Sequence, residues 1–468
     1  MMFAFAAFLL LFAETSDQSV EQALKRFIDA FATVEAEAAD PINTAGAIYE
    51  GAIPGMLKRL DPFSVFFDPG QFEQLRELEK STRKGFGSVV SILPGRVIVL
   101  QTMPGTPSAK SGMSPGDEIV AINGIPLARL DTDQLVQLLS QSRNQQVRLD
   151  VRRSGNARLI PLILTPEEVD TPSVERAFHI RPGVGYLRVG SFDVPTGKAI
   201  SEAIEQLGGK NLKGLVLDLR NNPGGVVGSA LETVALFLKP GQIIVSVRGR
   251  SVGADEIKAP DGLTPYVFPV AVLVNNKTAS ASEIVAGALQ DHKRATIIGE
   301  QSYGKGLVQS VMPLSQGTAM ALTTAFYFTP QGRSIQRTLP GQLAKTTTGG
   351  GAGGITPDET VYPEAMTRLR AVLDASGAFT TFATEYTRRV KIDANFDITP
   401  ELVDELQGFL SARNIRPGLA EWSRERDWIE HRLKQEILNQ GVGVAKGDEI
   451  ELQRDPVALA GLKAVGAL

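Results

Sequence analysis

Short apolar runs set between turn residues organise the middle of this 468-residue chain. The stretches 183–189, 214–220, 269–274 and 295–299 are brief, rich in branched apolar residues and bounded by turn formers, which predicts buried strands. Between them, 197–207 and 283–289 carry the pattern of packed helices. Strands alternating with helices predict a mostly parallel sheet, with function at the C-terminal ends of its strands. Upstream, Val20, Leu24, Phe27, Phe31 and Val34 recur at helical spacing, and a second helix around 45–60 carries Ile48, Ile53 and Leu57. Alternating strands are expected at 97–100 and 147–153, with a helix at 133–140 between them. Downstream, Thr399-Pro400-Glu401 is a strong helix start that places Leu402, Leu406, Phe409 and Leu410 on one face. A further helix carries Trp422, Ile429, Leu433 and Ile437 and stops at Gly441.

Length and a hydrophobic share of 43% predict two to four domains with substantial cores. A net charge of −4 without a long basic run argues against nucleic acid as a partner. The absence of cysteine excludes disulfides and thiolate metal sites, and no motif suggests a metal or a cofactor. Residues 1–13 are almost wholly apolar: short for a bilayer span, right for a signal-peptide core, though without the usual preceding basic residues. Export is therefore expected, with 1–16 as a signal or an anchor.

The candidate chemistry lies where the run 269–274 ends in small polar residues. Ser280 sits at a strand-to-helix junction, where amides of the new helix point outward and suit an oxyanion. Ser280 and Glu283 also fit a capping box, which needs no catalysis. Lys305 follows the strand at 295–299, set between Gly304 and Gly306, which allow close backbone approach. A serine hydroxyl needs a base. The chain has three histidines, of which His179 and His431 are distant in sequence and His292 falls in the polar tail of the helix. A lysine serves as base only when burial and neighbours leave it a neutral fraction.

Ser280-Ala281-Ser282-Glu283, Gly304-Lys305-Gly306 and Gln309 resemble the signature of the carboxy-terminal processing (tail-specific) peptidases, serine proteases with a Ser/Lys dyad. The resemblance spans about residues 40–363. It includes Leu60-Asp61-Pro62-Phe63-Ser64, the strand and turn of 321–335, and Gly354-Ile355-Thr356-Pro357-Asp358. It implies that Ser280 is the nucleophile, that Lys305 is the base and that Gln309 positions the lysine amine. It also implies a crotonase-like core in which the turn Asn221-Asn222-Pro223-Gly224-Gly225 supplies half of the oxyanion hole. The amide of Gly225, or else Gly224, is one expected donor and that of Ala281 the other.

Residues 83–165 resemble a PDZ domain, through Gly85-Phe86-Gly87 and the turn and strand of 114–124. Such a domain adds a peptide as an extra strand and holds its terminal carboxylate with backbone amides. Gly85, Phe86 and Gly87 are the candidates here, with Phe86 lining a pocket for an apolar last side chain. Where the family writes P-A-x-x-A-G, this chain has Pro107-Ser108-Ala109-Lys110-Ser111-Gly112.

The expected architecture is a multidomain α/β protein. A signal or anchor segment (1–16) and an N-terminal helical region (17–82) precede the PDZ domain (83–165). The peptidase core (166–363) is interrupted by a flexible Gly/Thr-rich insertion (338–354), and a C-terminal helical region (364–468) is expected to serve assembly or adaptor docking. The expected function is a serine endopeptidase, exported to a bacterial cell envelope or periplasm, that cleaves proteins with exposed apolar C-termini. An adaptor protein and a homo-oligomer are its expected partners. The alternatives are a non-catalytic peptide- or ligand-binding protein on the same fold and a crotonase-type acyl-CoA enzyme.

Overall fold

The computed structural model describes residues 3–81, 84–338 and 353–468, apart from positions 94, 144, 154, 155, 157, 170, 171, 251 and 252. The stretch expected as a flexible insertion lies almost wholly outside the described residues. Two compact units are present: the chain to Glu73 together with Gln309–Thr323, and Gln74–Val308 together with Thr324–Thr338 and the C-terminal part of the chain.

In the first unit a helix runs from Phe3 to Glu37, and shorter helical turns follow from Thr44 to Lys58. No helix among the described residues is long and apolar enough to cross a membrane. The Leu60–Ser64 segment is a tight turn because Asp61 holds it: Oδ1 accepts the amides of Phe63 and Ser64 at 2.7 Å each, and Oδ2 accepts the Ser64 hydroxyl. The strand Val65–Phe67 then pairs antiparallel with Ala319–Ala321.

In the second unit, residues 88–164 form an antiparallel sheet in the order Ser88–Leu93, Arg96–Thr102, Glu118–Ile122, Val147–Arg152, Ile160–Leu164. Ser88–Leu93 is an edge of this sheet. The helix Thr132–Ser142, started by an Asp131/Gln134 capping box, closes a core that includes Val97, Val99, Ile122, Leu135 and Val151.

The larger core is built on six strands in sequence order: β1 (Val174–Arg181), β2 (Val184–Val189), β3 (Gly214–Asp218), β4 (Val270–Val274), β5 (Thr296–Gly299) and β6 (Glu359–Thr360). β1 is antiparallel to β2, and every later pair is parallel. Alternation along each strand sends side chains to two different cores. Leu215, Leu217, Val270, Val272 and Val274 meet the helices α1 (Thr196–Gln206), α2 (Val227–Ala235) and α3 (Ala281–Asp291). Val216, Ala271 and Leu273 face the other way. They are covered by Val457, Ala458 and Leu462 of the helix α4 (Pro456–Ala464), joined by Val465 just beyond it. Strands buried on both faces are why these segments are continuously apolar in the sequence.

Helices Arg368–Ala375, Ala378–Arg389, Pro400–Ala412 and Leu419–Gly441 share a separate core around Leu373, Phe382, Leu406, Ile429 and Leu433. Reading 364–468 as a single appendage does not anticipate α4, which leaves these helices and completes the sheet. Leu462 is 1% exposed. Leu462→Ala is therefore expected to cost about 2–5 kcal/mol of unfolding free energy, the range for a truncated core leucine, measured by urea titration. A cost within experimental error would mean that α4 is not part of this core.

Candidate active site

Three turns, each leaving the C-terminal end of a parallel strand, are hydrogen-bonded into one platform. After β3, Asn221 donates its amide to Asn275 Oδ1, and Asn275 Nδ2 returns a bond to Asn221 Oδ1, both at 2.9 Å. This reciprocal pair joins the turn after β3 to the turn after β4. Thr278 strengthens the join by donating its hydroxyl to the Leu219 carbonyl. The fully buried Asn222 donates to the Val189 carbonyl, accepts the Gly224 amide, and offers its own carbonyl to the Ala279 amide. The turn after β5 joins through the Tyr303 amide, which donates to the Thr278 carbonyl.

Ser280 stands on this platform immediately before α3, with φ 55° and ψ −118°. An ordinary helix cap has extended backbone at this position. A non-glycine residue at positive φ costs about 1–3 kcal/mol and persists only where its surroundings impose it, a condition that clusters at active sites. The glycine before it in space explains how the turn closes. A Cβ on Gly224 would lie 2.8 Å from Ser280 Cβ and 2.9 Å from the Ala281 nitrogen.

Glu283 is the group that imposes this conformation. It has no exposed surface, and its two oxygens take four donors. Oε2 accepts the amides of Ser280 and Lys305, each at 2.8 Å. Oε1 accepts the Gly304 amide at 2.7 Å and the Ser302 hydroxyl at 2.5 Å. Burial pushes its carboxyl up. The Ser302 hydroxyl and the amides of Lys305, Gly304 and Ser280 pull it down without cancelling that rise. The capping box of the sequence is thus present and extends further, since the same oxygen that bonds Ser280 also fixes the backbone of Lys305.

Gly306 has to be glycine because residues 335–336 pass against it, and a Cβ there would lie 2.4 Å from the Gln336 amide nitrogen. The Lys305 side chain is half-buried. Among the described residues nothing accepts from the amides of Gly225 or Ala281, whereas the Gly224 amide is occupied by Asn222. Gly225 is exposed on the same turn and pairs as a β-bridge with Phe192. A strained serine at a strand-to-helix junction, beside two unengaged amides, is an arrangement suited to acyl transfer.

A model of peptidase family S41 matches residues 183–361, and one of the PDZ domain matches residues 98–153. The carboxy-terminal-processing protease of Bartonella bacilliformis is 36% identical over 326 residues, covering 69% of this chain and 74% of the relative. This chain belongs to peptidase family S41. The carboxyl-terminal-processing protease of Synechocystis is 34% identical over 316 residues, covering 66% of this chain and 70% of its own. A solved photosystem II D1 C-terminal processing protease is 28% identical, covering 72% of this chain and 89% of its own at a TM-score of 0.44.

In this serine peptidase, Gly85, Phe86 and Gly87 line a cavity between the edge strand Ser88–Leu93 and the helix Thr132–Ser142, with Val90, Ile92 and Leu139 on its apolar walls. The loop is held by the Ser108 amide on the Phe86 carbonyl and the Met103 amide on the Gly87 carbonyl. Gln309 belongs to the other compact unit, where its side-chain amide donates to the Phe63 carbonyl at 2.8 Å. The sequence reading assigned Glu283 only a cap and did not single out Asn222 or Ser302. A glutamate in an otherwise apolar helix face was the available signal for the first. The other two carry no local signature.

The strain at Ser280 is testable without substrate. Ser280→Gly removes the Cβ that makes positive φ costly, whereas Ser280→Ala keeps it. The glycine variant is expected to be more stable than the alanine variant by about 1–3 kcal/mol in chemical denaturation. Equal stabilities would mean that the backbone at 280 is unstrained.

Proposed function

We propose that this peptidase is an endopeptidase of the C-terminal processing type that recognises the tail of its substrate through the PDZ domain and works through a Ser/Lys dyad. Ser280 Oγ attacks the scissile carbonyl. Lys305 accepts the serine proton and later delivers it to the leaving amine, and water hydrolyses the acyl-enzyme. The amides of Gly225 and Ala281 stabilise the oxyanion. The observation that carries this reading is the positive-φ Ser280, whose amide shares one Glu283 oxygen with the amide of Lys305.

The substrate tail is read as an added strand on the edge Ser88–Leu93, with its carboxylate at the amides of Gly85, Phe86 and Gly87 and an apolar last side chain beside Phe86. The sheet core is read as crotonase-like, within the domain order of signal or anchor, helical region, PDZ domain, peptidase core and helical C-terminal region. Export to a bacterial cell envelope or periplasm, self-association, and docking of an adaptor on the C-terminal helices complete the proposal.

Digestion of an unstructured protein ending in apolar residues tests both parts. Ser280→Ala and Lys305→Ala are each expected to lower kcat at least about 10³-fold, because residues acting as one catalytic unit are individually indispensable. Amidation of the substrate's terminal carboxylate is expected to lower kcat/KM about tenfold or more, the loss of a charge-assisted hydrogen-bonded anchor. Cleavage that survives either mutation would sink the dyad, and equal rates on free and amidated tails would sink tail recognition. Tail binding without cleavage or acylation of Ser280 would instead identify a peptide-binding protein.

A further inference from the structure

Asp455 lies outside every motif considered so far, yet it reaches the turn that presents Gly225. Its Oδ1 caps α4, accepting the amides of Val457 at 2.9 Å and Ala458 at 3.2 Å. Its Oδ2 lies 2.5 Å from Nη1 of Arg220. Arg220 is the last residue before Asn221-Asn222-Pro223-Gly224-Gly225. The other edge of its guanidinium grips Asp218 at the end of β3, with Nε 3.0 Å and Nη2 2.6 Å from Oδ2. Asp218 in turn accepts the Tyr186 hydroxyl at 2.7 Å. The side chains of Arg220 and Asp455 are 17% and 15% exposed, so the pair is largely shielded from screening by water and salt.

The same helix is seated directly on the strands that carry the reacting turns. Gly461 packs so closely that a Cβ there would lie 3.1 Å from Leu273 Cδ2 on β4 and 3.3 Å from Val216 Cγ1 on β3. Beyond Arg220 the main chain passes through Asn221 at φ 61° into Asn222-Pro223-Gly224-Gly225, so the arginine is separated from Gly225 by only four residues of a turn.

We infer that Asp455 is a positioning residue for the peptidase reaction: by holding Arg220 from α4, it sets the turn that presents the Gly225 amide to the oxyanion. This inference rests on the assignment of Gly225 made above. It gives the C-terminal helix a part in catalysis without contact with substrate.

Asp455→Asn separates this role from the cap. Asparagine caps a helix as well as aspartate does, but it turns an NH2 group toward the guanidinium, donor against donor. In the full-length protein, kcat on the unstructured substrate is expected to fall about tenfold, the scale of a sub-ångström displacement of a catalytic group. KM should stay within about twofold, since substrate binding is not touched. Labelling of Ser280 by a fluorophosphonate probe should slow in parallel, and the variant should remain folded at the assay temperature, with a lowered thermal midpoint because one partner of a shielded ion pair is lost. A kcat equal to wild type, or a loss that only follows loss of folded protein, would overturn the inference. Should the asparagine variant not fold, Arg220→Lys keeps the cap and the positive charge but loses the fork, and is judged by the same criteria. Ser280→Ala is run alongside. If it is inactive and Asp455→Asn matches wild type, only the inference fails. If it cleaves like wild type, the assignment of the turn fails as well.

Discussion

One buried carboxylate ties the turn after β4 to the turn after β5. The two oxygens of Glu283 take three amides and a hydroxyl. A carboxylate in that position is costly to bury and strongly held once its donors are in place, each charge-assisted bond contributing about 1.5–3 kcal/mol. Because two of those donors are the amides of Ser280 and Lys305, the relative placement of the two residues is decided by hydrogen bonds to a single atom.

That arrangement needs a rigid base, and the sheet provides it. β3, β4 and β5 are adjacent and parallel, so their three exits fall on one edge, where paired asparagines, one threonine hydroxyl and the Tyr303 amide join the turns. Both faces of the sheet are covered, by α1–α3 on one side and α4 on the other. The positive φ of Ser280 is sustained by this framework, because a local turn with fewer constraints would relax.

Much of this was legible in the sequence, and the limits have physical causes. The runs predicted at 214–220, 269–274 and 295–299 are strands because residues buried on both faces must be apolar at every position, a strong local signal. β1 gave none: it is an edge strand whose exposed positions include Glu175 and Ala177, and it reads as ordinary polar chain. Ser280, Lys305 and Gly225 stood out as candidates because the family resemblance falls on short runs of small residues and glycines at strand ends. The roles of Asn222, Ser302 and Asp455 depend on partners distant in sequence, which periodicity and spacing do not reveal. α4 was not separated from the rest of the helical region 364–468, because an apolar helix face looks the same whether it meets other helices or a sheet.

The position of α4 also bears on how the molecule is made. Synthesis proceeds from the N-terminus, and earlier elements pack while later ones are still being added. The strands, α1–α3 and all three turns of the platform are in hand before residues 456–464 have been joined to the chain. Until then Val216, Ala271 and Leu273 lack the cover of α4 and Arg220 lacks one of its two carboxylates. The sheet therefore acquires its second cover later than its first: α1–α3 precede the helices of the separate bundle in the chain, and α4 follows them.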